Sequence, residues 1–268
     1  MKTLSYSNKS RVLVVGSIHG HYADFADEVV AGNHNTLFIS TGSSYLGYGS
    51  IMRQDLELEY LQQICAKTDN VVLIVRGEDD NPLYFKEDFF KEHKKGLSDI
   101  LKNVIFLEDY DVVKTKFGDF LCIGGAPHKT ESSTMPLRDP KEYFDGNAPH
   151  DIKFKDTEIT IVDPLPKYET AEGSEDEVDT NPFTSFLADK NINYVVSFSS
   201  LFSILSTTKK DNMINDTEIL SSVYFNTLNK GKNVKYWLFE GSYMMCEEVL
   251  VGGTTFKPLK EYNDYVTI

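Results

Sequence analysis

The sequence predicts an α/β fold that begins with a parallel sheet. Three observations predict it. Short β-branched runs near the N-terminus each end in a glycine or a polar loop. Stretches with apolar residues at helical spacing lie between those runs, which is the strand–helix–strand pattern of right-handed crossovers. The composition is globular: 268 residues, 41% hydrophobic and 25% charged, are enough to bury a substantial core.

The elements follow in order. Residues 11–16 read as a buried parallel strand ending in Gly16. Residues 21–30 carry Tyr22, Phe25, Ala26, Val29 and Val30 at helical spacing. A second strand is expected at 36–40, before a loop over 41–50. A helix is expected at 56–66, with Leu56, Leu58, Leu61 and Ile64 on or near one face. A third strand spans 71–75 and ends at Arg76-Gly77. Residues 103–107, 111–115 and 120–124 are short runs separated by turn residues, the signature of an antiparallel meander. Further strands are expected at 193–198, 234–239 and 247–251, and a helix at 216–228 with Asp216 as its N-cap. The segment 168–180 holds Glu169, Glu172, Glu175, Asp176, Glu177 and Asp179 without a Lys or Arg, and reads as a solvated acidic surface loop.

The formal net charge is -14. Such acidity repels phosphate backbones and anionic bilayers, so direct nucleic-acid binding and membrane docking are not expected. No run approaches the ~18 apolar residues that would span a bilayer. The N-terminus has no apolar signal-peptide core. Cys65, Cys122 and Cys246 are odd in number and widely spaced, which fits neither a disulfide framework nor a zinc pattern and points to a reduced, cytoplasmic compartment.

The loops after the early strands lie where an open α/β sheet places its ligand site, and read together they carry a resemblance. Val15-Gly16-Ser17-Ile18-His19-Gly20-His21 resembles the GDxHG motif of calcineurin-like metallophosphoesterases. Thr41-Gly42-Ser43-Ser44-Tyr45-Leu46-Gly47 stands where that family has GDxxDRG. Arg76-Gly77-Glu78-Asp79-Asp80-Asn81-Pro82-Leu83-Tyr84-Phe85 resembles an RGNHDDPxYF form of the GNHD motif. Leu121-Cys122-Ile123-Gly124-Gly125-Ala126 is similar to the IGGA strand of bacterial and phage members. Tyr194 to Phe198 matches the strand that delivers an isolated histidine, and Trp237 to Met244 the C-terminal GHxH segment. The resemblance covers residues 10–255 and implies a four-layer α/β/β/α sandwich, two mixed β-sheets flanked by helices, as one domain over 1–268.

In that family two divalent cations share a bridging carboxylate, activate a water and clamp phosphate oxygens. Carried over position by position, the first-motif aspartate becomes Ser17, while the histidine is kept as His19. The bridging aspartate becomes Ser43, and Leu46 replaces the second aspartate of GDxxD. The asparagine ligand becomes Glu78, the neighbouring catalytic histidine Asp79, and the isolated histidine Phe198. The last two histidines become Ser242 and Met244, to within one residue of register. Of the family's metal ligands His19 alone is identical, and Glu78 is the one replacement of comparable ligand strength. Without the bridging carboxylate, two cations about 3.5–4 Å apart would repel one another. No metal, no cofactor and no catalytic residue is therefore expected.

Three readings stand beside one another. The first is a pseudoenzyme: a catalytically degenerate phosphoesterase acting through protein–protein interaction or as a structural component. It would belong to a phage or bacterial assembly, in the host cytoplasm or the virion, or to a homo-oligomer. The second is an active phosphoesterase remodelled around His19, Glu78, Asp79 and Asp80, holding a single weak Mg²⁺ or Ca²⁺. The third is a metal-free nucleotide or phosphate sensor, for which Arg76 is the placed cation unless it pairs with Asp79 or Asp80. His21 reads as a helix-start or outer-layer residue, and His128 and His150 as loop residues without partner spacing.

Overall fold

Each β-branched run singled out above is a strand in a computed structural model of the chain, which describes residues 2–47, 51–77, 80–124, 191–198, 234–240, 248–251 and 253–268. The strands are β1 (Thr3–Ser5), β2 (Arg11–Val15), β3 (Thr36–Ser40), β4 (Val71–Ile74), β5 (Val104–Phe106) and β6 (Asp111–Thr115). They continue as β7 (Gly118–Ile123), β8 (Ile192–Ser197), β9 (Tyr236–Glu240), β10 (Val249–Val251), β11 (Thr254–Leu259) and β12 (Tyr265–Thr267). Helix α1 (Tyr22–Phe25) runs on as a π-helical turn over Ala26–Val30, closed by the Ala31 N–H donating to the Ala26 carbonyl at 2.8 Å. Helices α2 (Ile51–Thr68), α3 (Glu87–His93) and α4 (Lys95–Ile100) follow, with a 3-10 turn at Pro82–Phe85 before α3.

The strands form two mixed sheets. The first has the order β12-β2-β3-β4-β5, parallel from β2 to β5, with β12 antiparallel against β2. The second has the order β1-β6-β7-β8-β9-β11-β10. The strands of the first sheet are apolar on both faces because both faces are covered. Val12, Val14, Leu37, Ile39 and Leu73 meet Val113, Phe120, Cys122, Val196 and Leu238 of the second sheet. Their neighbours Leu13, Val15, Phe38, Val72 and Ile74 point the other way, against α1, α2 and the segment 84–97.

Two expectations need correction. Residues 104–106 do not join a meander. They pair in parallel with β4 in the first sheet, and only β6 and β7 form an antiparallel hairpin in the second. The chain changes sheets in the turn 107–111, where Glu108 N–H donates to the Asp111 carboxylate at 3.1 Å and Tyr110 takes a left-handed φ of 69°. On α2, which starts at Ile51, the buried face is Leu58, Leu61 and Cys65, while Leu56 is 57% exposed, because two residues of helix turn it about 200° away from Leu58. Strands β1, β11 and β12 were not expected from the sequence. The helix at 216–228 and the acidic loop at 168–180 lie outside the described residues. Among the described residues no helix is long and apolar enough to cross a membrane.

Phe120 is fully buried between the sheets and stacks on Tyr194, ring centroids 4.5 Å apart. Phe120→Ala is expected to destabilise the chain by about 3–5 kcal/mol. In urea unfolding, the midpoint should fall while the slope stays unchanged.

Candidate functional site

Parallel pairing brings the ends of β2, β3 and β4 side by side, with Val15 opposite Ser40 and Ser40 opposite Ile74. The loops beyond them therefore converge at one edge. The second sheet meets them there. Phe198 follows β8, and its ring lies 3.2 Å from where a Cβ on Gly42 would stand. The closeness of these loops demands glycine. A Cβ on Gly77 would lie 1.9 Å from the Ser43 nitrogen, and one on Gly16 would lie 2.4 Å from the Glu261 carbonyl oxygen.

One buried carboxylate holds the edge together. Asp80 is 2% exposed. Its Oδ1 accepts from the Ser44 hydroxyl at 2.7 Å and from Leu46 N–H at 2.8 Å. Its Oδ2 accepts from Gly77 N–H at 2.6 Å and Ser44 N–H at 3.2 Å. Four donors fill the acceptor capacity of both oxygens. Burial pushes the Asp80 pKa above the usual carboxylate range, and the four donated bonds pull against that shift. The clamp extends outward. Tyr22 donates its hydroxyl to the Ser44 carbonyl at 2.9 Å, and His19 N–H donates to the Ser43 carbonyl at 2.8 Å. The clamped loops contain three non-glycine residues in the left-handed region: His19 (φ 50°), Ser43 (φ 50°) and Tyr45 (φ 57°).

The edge brings together His19, Ser17, Ser43, Phe198, Arg76 and Asp80. Ser17 and Ser43 are fully buried, and their hydroxyls, like that of Thr41, have no hydrogen-bond partner. The half-buried His19 ring lies 5.8 Å from the Tyr45 ring. His21 is exposed and contacts Asp24 at 3.4 Å, a pairing local to the start of α1. Leu46 is buried in the core beneath the helices, where it serves packing. Among the described residues Arg76 pairs with Asp109 and not with Asp80. Its guanidinium binds Asp109 across the sheets, at 3.0 and 3.3 Å, and donates to the Gly124 carbonyl at 3.3 Å. Asp80 is unavailable to Arg76 because its oxygens are taken from the other side. Glu78, Asp79, Ser242, Met244, His128 and His150 lie outside the described residues.

Three features were missed in the sequence. Asp109 stands 33 residues from Arg76, and no local pattern pairs them. Glu240, 1% exposed at the end of β9, adds a second buried carboxylate here. The structural role of Asp80 is hidden in the sequence, where it is one of three consecutive acids read together as candidate cation contacts. The Cys65 and Cys122 thiols are buried, and burial pushes Cys65 up to about 12 and Cys122 higher still, so neither is poised as a nucleophile. Among the described residues no group of three or more His, Cys, Asp or Glu is placed to hold a metal ion.

No family model matches the sequence, and no curated protein matches it. A crystal structure of another protein has a similar fold, with a TM-score of 0.51 at 11% identity, over 96% of this chain and 94% of that one. That likeness concerns the fold alone.

Two substitutions at this edge should behave oppositely. Asp80→Asn keeps one acceptor oxygen and loses about two charge-assisted bonds worth 1.5–3 kcal/mol each, so a loss of about 3–6 kcal/mol is expected. Ser17→Ala removes a hydroxyl that satisfies nothing, so stability should hold or rise by up to about 1 kcal/mol. Thermal and urea unfolding of the two variants check both.

Proposed function

We propose that this chain has the calcineurin-like metallophosphoesterase sandwich without its two-metal centre, and that it serves as a protein-binding or structural accessory component. The observation that carries the reading is the pair Ser17 and Ser43. They are buried at the ends of two adjacent parallel strands, where the resembled family has its first-motif and bridging aspartates. The described donor set does not fit such a centre. Neutral hydroxyls are weak ligands for hard cations, and Phe198 packs an apolar ring against Gly42 beside them. All the lone pairs of Asp80 are engaged within the loops. These facts weigh against the remodelled-site reading, and the Asp109 pairing of Arg76 weighs against the sensor reading.

A partner is supported by α2. Met52 (65% exposed), Leu56 (57%) and Tyr60 (36%) are spaced four residues apart and form an apolar stripe on its outer face. Aromatic and Met side chains of this kind are enriched in interfaces. Accessory roles in phage or bacterial assemblies, or a second copy of the chain, fit this surface.

The test is metal content and turnover. The purified chain, dialysed against Mn²⁺, should hold less than one metal per chain and leave bis-(p-nitrophenyl) phosphate intact. Two metals per chain, or hydrolysis abolished by His19→Ala, would sink the proposal. For the partner role, Met52→Asp with Leu56→Asp should abolish a co-purifying complex or self-association without lowering Tm. A complex indifferent to both would remove the stripe from the argument.

A further inference from the structure

The end strands β1 and β5 of the two sheets line a cavity of about 400 Å³. That volume lies within the range of small-molecule sites. Part of its wall is a cluster of aromatic rings. Phe106 of β5 packs edge-on against Phe85, centroids 5.5 Å apart at 71°, and at a tilt against Phe90, 5.2 Å apart at 52°. Leu4, Leu101 and Ile105 continue the apolar lining and are each only partly buried.

The charges at this cavity are opposite to those of the chain. Lys2, Lys91 and Lys102 line it, against the single acid Glu87. Glu87 accepts from Lys2 at 3.1 Å and also from Lys91. Lys102 is exposed and has no carboxylate partner among the described residues. A local cationic excess beside an apolar cavity, on a chain of net charge -14, selects for a ligand with both properties.

We propose that this cavity binds a small amphipathic anion, with an apolar or aromatic body against Phe85, Phe90 and Phe106 and a carboxylate or sulfonate at Lys102 and Lys2. The ring cluster is tightly interlocked, so the body meets a preformed wall. The lysines would contribute charge-assisted hydrogen bonds to the head group. Phe85 closes the segment that follows β4, but Ser17, Ser43 and Phe198 are not part of the cavity lining, so this site stands or falls separately from the proposed loss of metal.

The probes are 8-anilinonaphthalene-1-sulfonate, followed by fluorescence, and dodecanoate as a competitor. One saturable site per chain is expected, with dodecanoate displacing the dye and dodecyltrimethylammonium failing to do so. Lys102→Glu should weaken the dye at least tenfold, and Leu101→Trp, which fills the cavity from a partly exposed position, should abolish binding. Both variants should unfold at the wild-type temperature. Three outcomes would overturn the proposal: no saturable binding, equal competition by the cationic detergent, or unchanged affinity in both variants. A dimer in light scattering that Leu101→Trp returns to monomer would also overturn it, by assigning the cavity to a second copy.

Discussion

Everything at the shared edge of the two sheets depends on how the Asp80 carboxylate is satisfied. A charge removed from water is tolerable only when its lone pairs are met, and here they are met by the backbone and side chain of Ser44, the backbone of Leu46 and the backbone of Gly77. The loop after β3 and the loop after β4 are thereby made one object. The left-handed residues Ser43 and Tyr45 would relax in a free loop, and the clamp holds them in place. Through the Ser44 carbonyl the same object reaches Tyr22, and through the Ser43 carbonyl it reaches His19.

These bonds are internal to the protein. A strand-end site held open by cations would fall apart when its ligands were replaced, because ligands and scaffold would be the same atoms. Here the carboxylate that organises the loops faces inward, and none of its four donors comes from Ser17, Ser43 or Phe198. That separation explains how the proposed loss of chemistry and the retention of architecture can coexist. Arg76 makes the same point: it ties the end of the first sheet to Asp109 and Gly124, at the crossing into the second.

The strands of the first sheet were legible because parallel strands covered on both faces show as unbroken apolar runs. Strand β5 reads as part of the meander because Val104, Ile105 and Phe106 look the same in either sheet, and the turn that separates it from β6 is decided by Asp111 capping Glu108. Strand β1 is only Thr3–Ser5, too short and too polar to signal itself. At the edge, the positions of Ser17, Ser43 and Phe198 could be read, whereas the use of Asp80 could not. Asp80 is the last acid of the run Glu78-Asp79-Asp80, and nothing in that run shows that it is buried. The apolar cavity was invisible for a similar reason, since Leu4, Phe85 and Phe106 come together only once both sheets have formed.

The register of β12 has a consequence for how the chain is made. Tyr265 pairs with Val15 and Thr267 with Leu13, so a strand synthesised long after β2 closes its open side. While a nascent chain waits for residues 265–267 to leave the ribosome, β2 presents an uncovered row of backbone donors and acceptors. Pairings this distant in sequence form slowly. The interval between translation of β2 and arrival of β12 is when this protein would be most exposed to pairing with the wrong strand, and to any chaperone that binds extended apolar segments.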